Sequence, residues 1–511
     1  MKQTALVNTI PFNPAIRLGY AKYFLLFMAG LLGPLGFAPF HMPGVTLLSL
    51  AFLYSSLHNC SIKQGFFLGF YYGIGYFGFG VSWVIVSIHD YGQLNYFLAG
   101  LITLVFIMYL ALFPALVGYL FKLLELKHRK LLSLALFSTL WCVCEYSRAT
   151  LFSGFPWLLV GTTLIDTPIK YIAPILGIYG LSLVCVLIST LLTLAVSQNS
   201  QKRYYYLIVV VLLIIGPITC KNISWSQIKN EPVSVGAVQA NLSMRDKWDE
   251  NLFWSLLKYY ENAINELLGK QLIILPESAI PLPASYLDKY LNKLDKKALK
   301  AKSALLVGIL QPTNDSETNY YNSTITLGGA KGKKLKQQLV PFGEYIPKPF
   351  VTINHWLNLP EPNLLPGKKH QPLIRIGDYP IANLICYEIA YPKLLREQMP
   401  EAQWIVSMSD NGWFGHSLAS YQQLQMAQIL SLLTGRYQIV VNNDGLSSVI
   451  DAHGEITESL PSFSSGILES TIYPAEGITP WIMWQEYPSL IFCLFFLAFI
   501  LFIHLRHQFQ Q

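Results

Sequence analysis

The sequence predicts two kinds of structure in one chain: a multi-pass α-helical membrane domain of about eight spans, and an exported α/β domain. Three observations predict it. Of 511 residues, 53% are hydrophobic and only 13% charged, with a mean hydropathy of +0.40; a soluble chain carries about 25% charged residues. Apolar stretches near the ~20 residues a bilayer requires recur through residues 1–220. Residues from about 221 to 480 instead alternate short strand-like and helical runs, the pattern of layered α/β packing.

The apolar stretches lie near 22–38, 43–59, 65–87, 94–121, 131–149, 171–197, 204–220 and 487–504. The first two are short and broken by Gly and Pro, as in Gly33-Pro-Leu-Gly-Phe-Ala-Pro39. This divides the chain into a membrane domain (1–220), a polar domain (221–480), and a final span with a short tail (481–511). Positive charge then orients the spans. Lys2, Arg17, Lys22, Lys63, Lys122, Lys127, Arg129, Lys130, Lys202, Arg203 and Arg506 fall in alternate loops, with Arg148 and Lys170 as exceptions. The positive-inside rule puts both termini in the cytoplasm and the polar domain outside, in the periplasm of a Gram-negative cell. Trp481, Trp484 and Tyr487 are read as the outer interface of the last span, although ordinary packing also explains such aromatics.

The formal charge of +7 raises the question of a nucleic-acid partner. Residues 1–220 hold 12 Lys/Arg against 4 Asp/Glu, leaving 24 against 25 in the rest. The basic excess therefore belongs to the membrane half, and no nucleic-acid partner is predicted. Of the seven cysteines, only Cys386 lies well inside the polar domain, so no disulfide framework is expected there. The ten histidines show no paired ligand spacing, and neither a metal site nor a cofactor is expected.

Within the polar domain, strand-like runs occur at 233–240, 271–275, 303–310, 372–377, 381–386, 403–408, 437–442 and 446–450. Helical stretches are expected at 248–268, 283–300, 389–398 and 418–434. Three polar residues stand at strand or loop ends. Glu277 closes Leu272-Ile-Ile-Leu-Pro-Glu277, Lys336 precedes Leu339-Val-Pro-Phe-Gly-Glu344, and Cys386 ends Ile381-Ala-Asn-Leu-Ile-Cys386. A thiol, a carboxylate and an ammonium suit covalent acyl chemistry, because the carboxylate can take the thiol proton and the cation can hold an oxyanion. Each residue alone has a plainer reading. A lone Cys among apolar residues fits a buried structural thiol, Pro276-Glu277-Ser278 fits a helix cap, and Lys331-Gly-Lys-Lys-Leu-Lys336 fits a solvated turn.

The order Glu, Lys, Cys resembles the carbon–nitrogen hydrolase (nitrilase) superfamily. Leu339-Val-Pro-Phe-Gly-Glu-Tyr-Ile-Pro347, Cys386-Tyr-Glu388 and Trp413-Phe-Gly415 resemble, more narrowly, the apolipoprotein N-acyltransferases of bacterial inner membranes, whose membrane domain the N-terminal half also fits. The resemblance implies a nitrilase-like αββα sandwich and a Glu277–Lys336–Cys386 catalytic triad. Glu344 would orient the lysine, assist proton transfer or serve structure alone, and Tyr387 and Glu388 would support the nucleophile. Trp248 and Trp413 match aromatics near the family's lipid entry, with core packing as the alternative. Glu145 and Arg148, one turn apart near the outer end of the fifth span, are costly at membrane depth and could simply pair with each other; Ser153-Gly-Phe-Pro-Trp157 matches a family loop.

Three departures stand out: Asp410-Asn411 where Asn-Asp is common, Tyr421 where His is frequent, and Val440 near a common Arg. None is expected to touch the triad. The activity implied is transfer of an acyl chain from a phospholipid, most simply the sn-1 chain of phosphatidylethanolamine, to the N-terminal diacylglyceryl-cysteine of an apolipoprotein through a thioester. A membrane-bound nitrilase-like amidase and a non-catalytic lipoprotein-binding protein are the alternatives.

Overall fold

The computed structural model describes residues 14–508 apart from 91, 93, 127–128, 198–200, 314–315 and 357–361. Lys2 and Lys127 of the charge pattern lie outside the described residues. Among the described residues, eight α-helices precede the polar domain: α1 (Pro14–Leu32), α2 (Pro43–Leu57), α3 (Ile62–Gly80), α4 (Val84–Asp90), α5 (Tyr96–Leu124), α6 (Lys130–Thr150), α7 (Ala173–Ser197) and α8 (Lys202–Ile215). They follow the apolar stretches, but not all are long and apolar enough to cross a membrane. Among the described residues, Tyr96–Leu124, Pro168–Ser197, Lys202–Cys220 and Tyr487–Arg506 qualify singly, and α3 with α4 adds a fifth if the bent pair is one span. Length and composition thus support four or five of the expected eight.

Small residues let α3 lie close to both neighbours. A Cβ on Gly75 would stand 2.1 Å from the Phe27 carbonyl oxygen of α1, and one on Gly69 would stand 2.2 Å from the Pro114 carbonyl oxygen of α5. The span expected to run unbroken over 65–87 instead bends by 59° between α3 and α4. At the bend the Gly80 carbonyl accepts from Trp83 Nε1 at 3.2 Å and from Gln422 Nε2 at 3.1 Å, so side chains take it over where the helix lets go.

Within the polar domain, a pair of seven-stranded sheets packs face to face. Along one run Gly466–Ile472, Val233–Gln239, Leu272–Ile274, Ala304–Thr313, Ser316–Gly328 and Lys333–Leu335, with Ile280–Pro283 pairing beside Ala304–Thr313. The other runs Ile456–Ser459, Ser448–Ile450, Gln438–Asn442, Ile405–Ser409, Tyr379–Ile385, Ile374–Ile376 and Ala330–Lys331. Alternation along each strand divides the cores. Leu272, Ile274 and Leu306 meet Ile381, Val406, Met408, Ile439 and Val441 between the sheets. Ile273, Leu275, Leu305 and Val307 face the other way.

The remaining helices are α9 (Met244–Lys247), α10 (Phe253–Leu267), α11 (Asp288–Lys300), α12 (Val351–Trp356), α13 (Pro392–Arg396), α14 (Ala419–Thr434), α15 (Pro480–Trp484) and α16 (Tyr487–Gln508). Buried residues of α10 and α11 cover the first sheet. On the second sheet, Ala382, Leu384, Ile405 and Val440 share a core with α13, α14 and the N-terminal helices. The layering is αββα, with the last layer wedged against the helical bundle.

Glutamines of α14 join the two halves. Gln422 Oε1 accepts from Trp157 Nε1 at 2.6 Å and Trp83 Nε1 at 3.2 Å, and Gln425 Oε1 accepts from Ala38 N at 3.1 Å. The 13-residue strand Ser316–Gly328 was not expected, and its buried Asn322, Ser323 and Thr324 are polar. Trp481 takes the packing alternative. Trp484 and Tyr487 are exposed as an interface residue should be, but Trp481 is buried with Nε1 donating to Glu486 Oε1 at 2.8 Å.

Candidate active site

Three strand ends converge. Cys386 directly follows the strand Tyr379–Ile385, Lys336 follows Lys333–Leu335, and Glu277 lies three residues beyond Leu272–Ile274. The backbone turns sharply at the thiol: Cys386 has φ +52°, the left-handed region that costs a non-glycine residue about 1–2 kcal/mol. Such strain persists where neighbours over-determine it. Here Glu388 does so. Its Oε2 accepts from Ile385 N at 2.9 Å, and its Oε1 accepts from Gln337 N at 2.6 Å. One buried carboxylate thereby fixes the turn before the thiol to the residue after the lysine. Burial pushes the Glu388 carboxyl above its ordinary range, against the Lys334 charge and these backbone bonds.

The charged groups form a closed, buried set. Lys336 Nζ donates to Glu277 Oε1 at 3.0 Å and to Glu344 Oε1 at 2.9 Å. Asn322 Nδ2 donates to the same two oxygens, at 2.7 and 3.1 Å. Glu277 Oε2 accepts from Asp410 N at 2.9 Å, and Glu344 Oε2 from Val340 N at 2.8 Å. The Cys386 thiol is buried in the same set, within reach of the charges on Glu277, Lys336 and Glu344.

Burial raises the affinity of Glu277 for a proton, but the Lys336 charge and hydrogen bonds from Lys336 and Asn322 outweigh it and hold the carboxyl below its usual range. Burial works against the Lys336 ammonium as well, yet Glu277 and Glu344 keep it charged well past the ordinary lysine range. Burial and the Glu277 charge push the Cys386 thiol well up, with Lys336 opposing. At neutral pH the set is a thiol, an ionised carboxylate and an ammonium buried together. A base must take the proton before the sulfur can attack.

The other expected residues scatter more widely. Tyr387 OH donates to the Gly154 carbonyl at 3.5 Å and Tyr391 OH to the same oxygen at 3.1 Å, which seats the Ser153–Trp157 loop over the turn. Trp248 follows Lys247 and is 47% exposed, and Trp413 stands on the turn after Asp410, its carbonyl accepting from Ser87 Oγ at 2.6 Å. Glu145 and Arg148 do not form the ion pair considered above. Glu145 Oε1 accepts from Val160 N at 2.9 Å, and Arg148 Nη1 donates to the carbonyls of Phe155 (2.7 Å) and Trp157 (2.6 Å). Tyr421 OH lies 3.2 Å from Ser462 Oγ, and Val440 is core.

The expectation that no departure touches the triad fails at Asp410, whose backbone N–H binds Glu277. Two residues were missed outright. Asn322 lies in a segment where no strand was expected, and Lys247 just before an expected helix, yet they are only 4% and 2% exposed. Among the described residues, no three His, Cys, Asp or Glu gather as a metal site.

Comparison with known proteins agrees with this architecture. Residues 29–191 match the model of the apolipoprotein N-acyltransferase N-terminal domain, and residues 234–480 match that of the carbon–nitrogen hydrolases. An apolipoprotein N-acyltransferase of Coxiella burnetii is 36% identical over 478 residues, covering 93% of this chain and 98% of that protein. Proteins of the same name from Azotobacter vinelandii (34%, covering 92% and 93%) and Pseudomonas aeruginosa (33%, covering 92% and 94%) align as fully. The chain belongs to the apolipoprotein N-acyltransferase family.

Proposed function

We propose that this acyltransferase carries a fatty acyl group from a phospholipid, at the sn-1 position of phosphatidylethanolamine, to the α-amine of the N-terminal diacylglyceryl-cysteine of apolipoproteins. One observation carries the mechanism: the Lys336 ammonium lies 3.0 Å from the Glu277 carboxylate, and both are buried with the Cys386 thiol whose charge they influence. Glu277 takes the thiol proton as the sulfur attacks the ester carbonyl. Lys336 holds the oxyanion, a contribution of about 3–4 kcal/mol for one donor. The C–O bond breaks, Glu277 returns the proton to the departing lysophospholipid oxygen, and a thioester is left on Cys386. The lipoprotein amine then attacks the thioester. Glu277 accepts a proton from the attacking nitrogen, the C–S bond breaks, and the thiolate recovers the proton. No cofactor is needed.

In this reading Glu344 holds Lys336, Glu388 and Tyr387 hold the nucleophile turn, and Trp248 and Trp413 meet acyl chains. Residues 1–220 form the membrane domain, 221–480 the catalytic domain on the periplasmic face of the inner membrane, and 481–511 the last span, with both termini cytoplasmic and about eight crossings. Both substrates are lipids, and drawing an acyl chain into water would cost about 0.8 kcal/mol per CH₂. A catalytic domain seated on the bundle avoids that cost.

The test offers purified protein a phospholipid labelled in its acyl chain, then a diacylglyceryl-cysteine peptide. Hydroxylamine-labile label on Cys386 that passes to the peptide amine is expected. Hydrolysis alone would mean an amidase, and inertness a lipoprotein binder. For orientation, alkaline phosphatase fused after residue 230 should be active, because it needs an oxidising compartment, while fusion after Lys130 or Arg203 should be inactive. The reverse pattern would put Cys386 in the cytoplasm, away from exported lipoproteins.

A further inference from the structure

Lys247 is a buried cation that this mechanism leaves unused. Its Nζ donates to the main-chain carbonyl of Glu277 at 3.0 Å and forms an ion pair with Asp410 Oδ2, with both side chains almost wholly shielded from solvent. Asp410 is itself fixed. Its Oδ1 accepts from Gly412 N and from Asn443 Nδ2, each at 3.1 Å, and its backbone N–H holds Glu277 Oε2. Glu277 is therefore gripped four times. Lys336 and Asn322 hold Oε1, Asp410 holds Oε2, and Lys247 holds the main chain while anchoring Asp410.

We propose that Lys247 and Asp410 are a positioning pair for Glu277, keeping its carboxylate ionised and aimed at the thiol through the oxygen that Lys336 does not bind. The proposal rests on the reading of Glu277 as the base. Charge balance supports it. Lys336 and Lys247 stand against Glu277, Glu344 and Asp410 in one solvent-shielded set. Without Lys247, three carboxylates would share one cation, and an unpaired buried charge is met by proton uptake.

The pair also explains the Asp410-Asn411 order. Both side-chain polar atoms of Asn411 are buried without a partner, so a carboxylate at 411 would have no cation while Lys247 lost its own. Two further titratable groups feel Asp410. Burial and then the Asp410 charge push the Asp444 carboxyl up to about 7, with Lys247 opposing, and burial followed by Asp410 raises Tyr260 of α10 far beyond neutral pH.

The experiment measures single-turnover acylation of Cys386 by acyl-labelled phosphatidylethanolamine as a function of pH, using full-length protein in detergent. Ionised Glu277 defines the acid limb. Lys247→Met removes a cation, so the limb should move up by about one unit, with the rate lost mainly at acid pH along that limb. Asp410→Asn removes an anion but keeps the backbone N–H, so the limb should move down. Opposite directions from two adjacent residues are not what loosened packing produces. Should Lys247→Met fail to fold, Asp410→Asn decides alone. Limbs unmoved in the variants, or shifts that vanish in an Asp444→Asn background, overturn the pair. Glu277→Gln separates the two levels: normal acylation in that variant would bring down the base reading itself, whereas an inert Glu277→Gln with unmoved limbs overturns only the pair.

Discussion

Two of the molecule's buried charge clusters are satisfied in different ways. In the α/β domain, Lys336, Glu277 and Glu344 contact one another through side chains. In the helical domain, Glu145 and Arg148 lie as deep but reach past each other to backbone groups of residues 155–160. A carboxylate held by a mobile proton and an ammonium can change its charge state during a reaction. A guanidinium held by two carbonyls cannot do so usefully, and it fixes a loop instead. Depth and charge alone do not separate a site from a strut, but the identity of the partners does.

The sharpest break of that comparison is at the thiol. Cys386→Ala and Cys386→Ser should abolish label transfer, because alanine has no nucleophile and a serine hydroxyl is far harder to ionise with a carboxylate as the base. Hydroxylamine-labile label in Cys386→Ala would end the covalent reading. Lys336→Ala should follow, slowing acylation on the order of 10²–10³-fold through the lost oxyanion donor. A rate within a few-fold of wild type would move Lys336 to the structural side of the comparison.

What the sequence made legible follows the same division. Cys386, Lys336 and Glu277 could be found because each closes a short apolar run and sits in a distinctive local string. Asn322 and Lys247 could not, since the meaning of a polar residue in Ser316–Gly328 or α9 comes from strands far away in sequence. The helices were legible as apolar stretches, but the bend at Gly80 was not. It depends on Gln422, more than three hundred residues later, taking the Gly80 carbonyl. The partners of Glu145 and Arg148 were not legible either, because their spacing allows a pair and only the folded loop supplies the backbone groups they bind.

The strut side predicts stability loss with chemistry intact. Arg148→Met leaves the Phe155 and Trp157 carbonyls without their donor, at about 1–3 kcal/mol for each buried group left unpaired. Folded yield and Tm in detergent should fall, while acylation per folded molecule stays within a few-fold. A rate lowered as far as by Lys336→Ala, at unchanged Tm, would mean that this arginine serves the reaction after all.

The smallest effect is expected at the seam between the two regions. Gln422→Leu keeps the side chain's size and removes the acceptor of the Trp83 and Trp157 indoles and the donor to Gly80. A buried donor left unpaired costs about 1–3 kcal/mol, so Tm should fall by less than in Arg148→Met. The informative readout is protease sensitivity near the α3–α4 bend. If Gln422 only joins two independently formed regions, cleavage there should rise while the acylation rate holds. If the rate falls with it, the helical domain sets the geometry at Cys386, since the neighbouring Gln423 Nε2 lies 3.5 Å from the Cys386 carbonyl on the same helix.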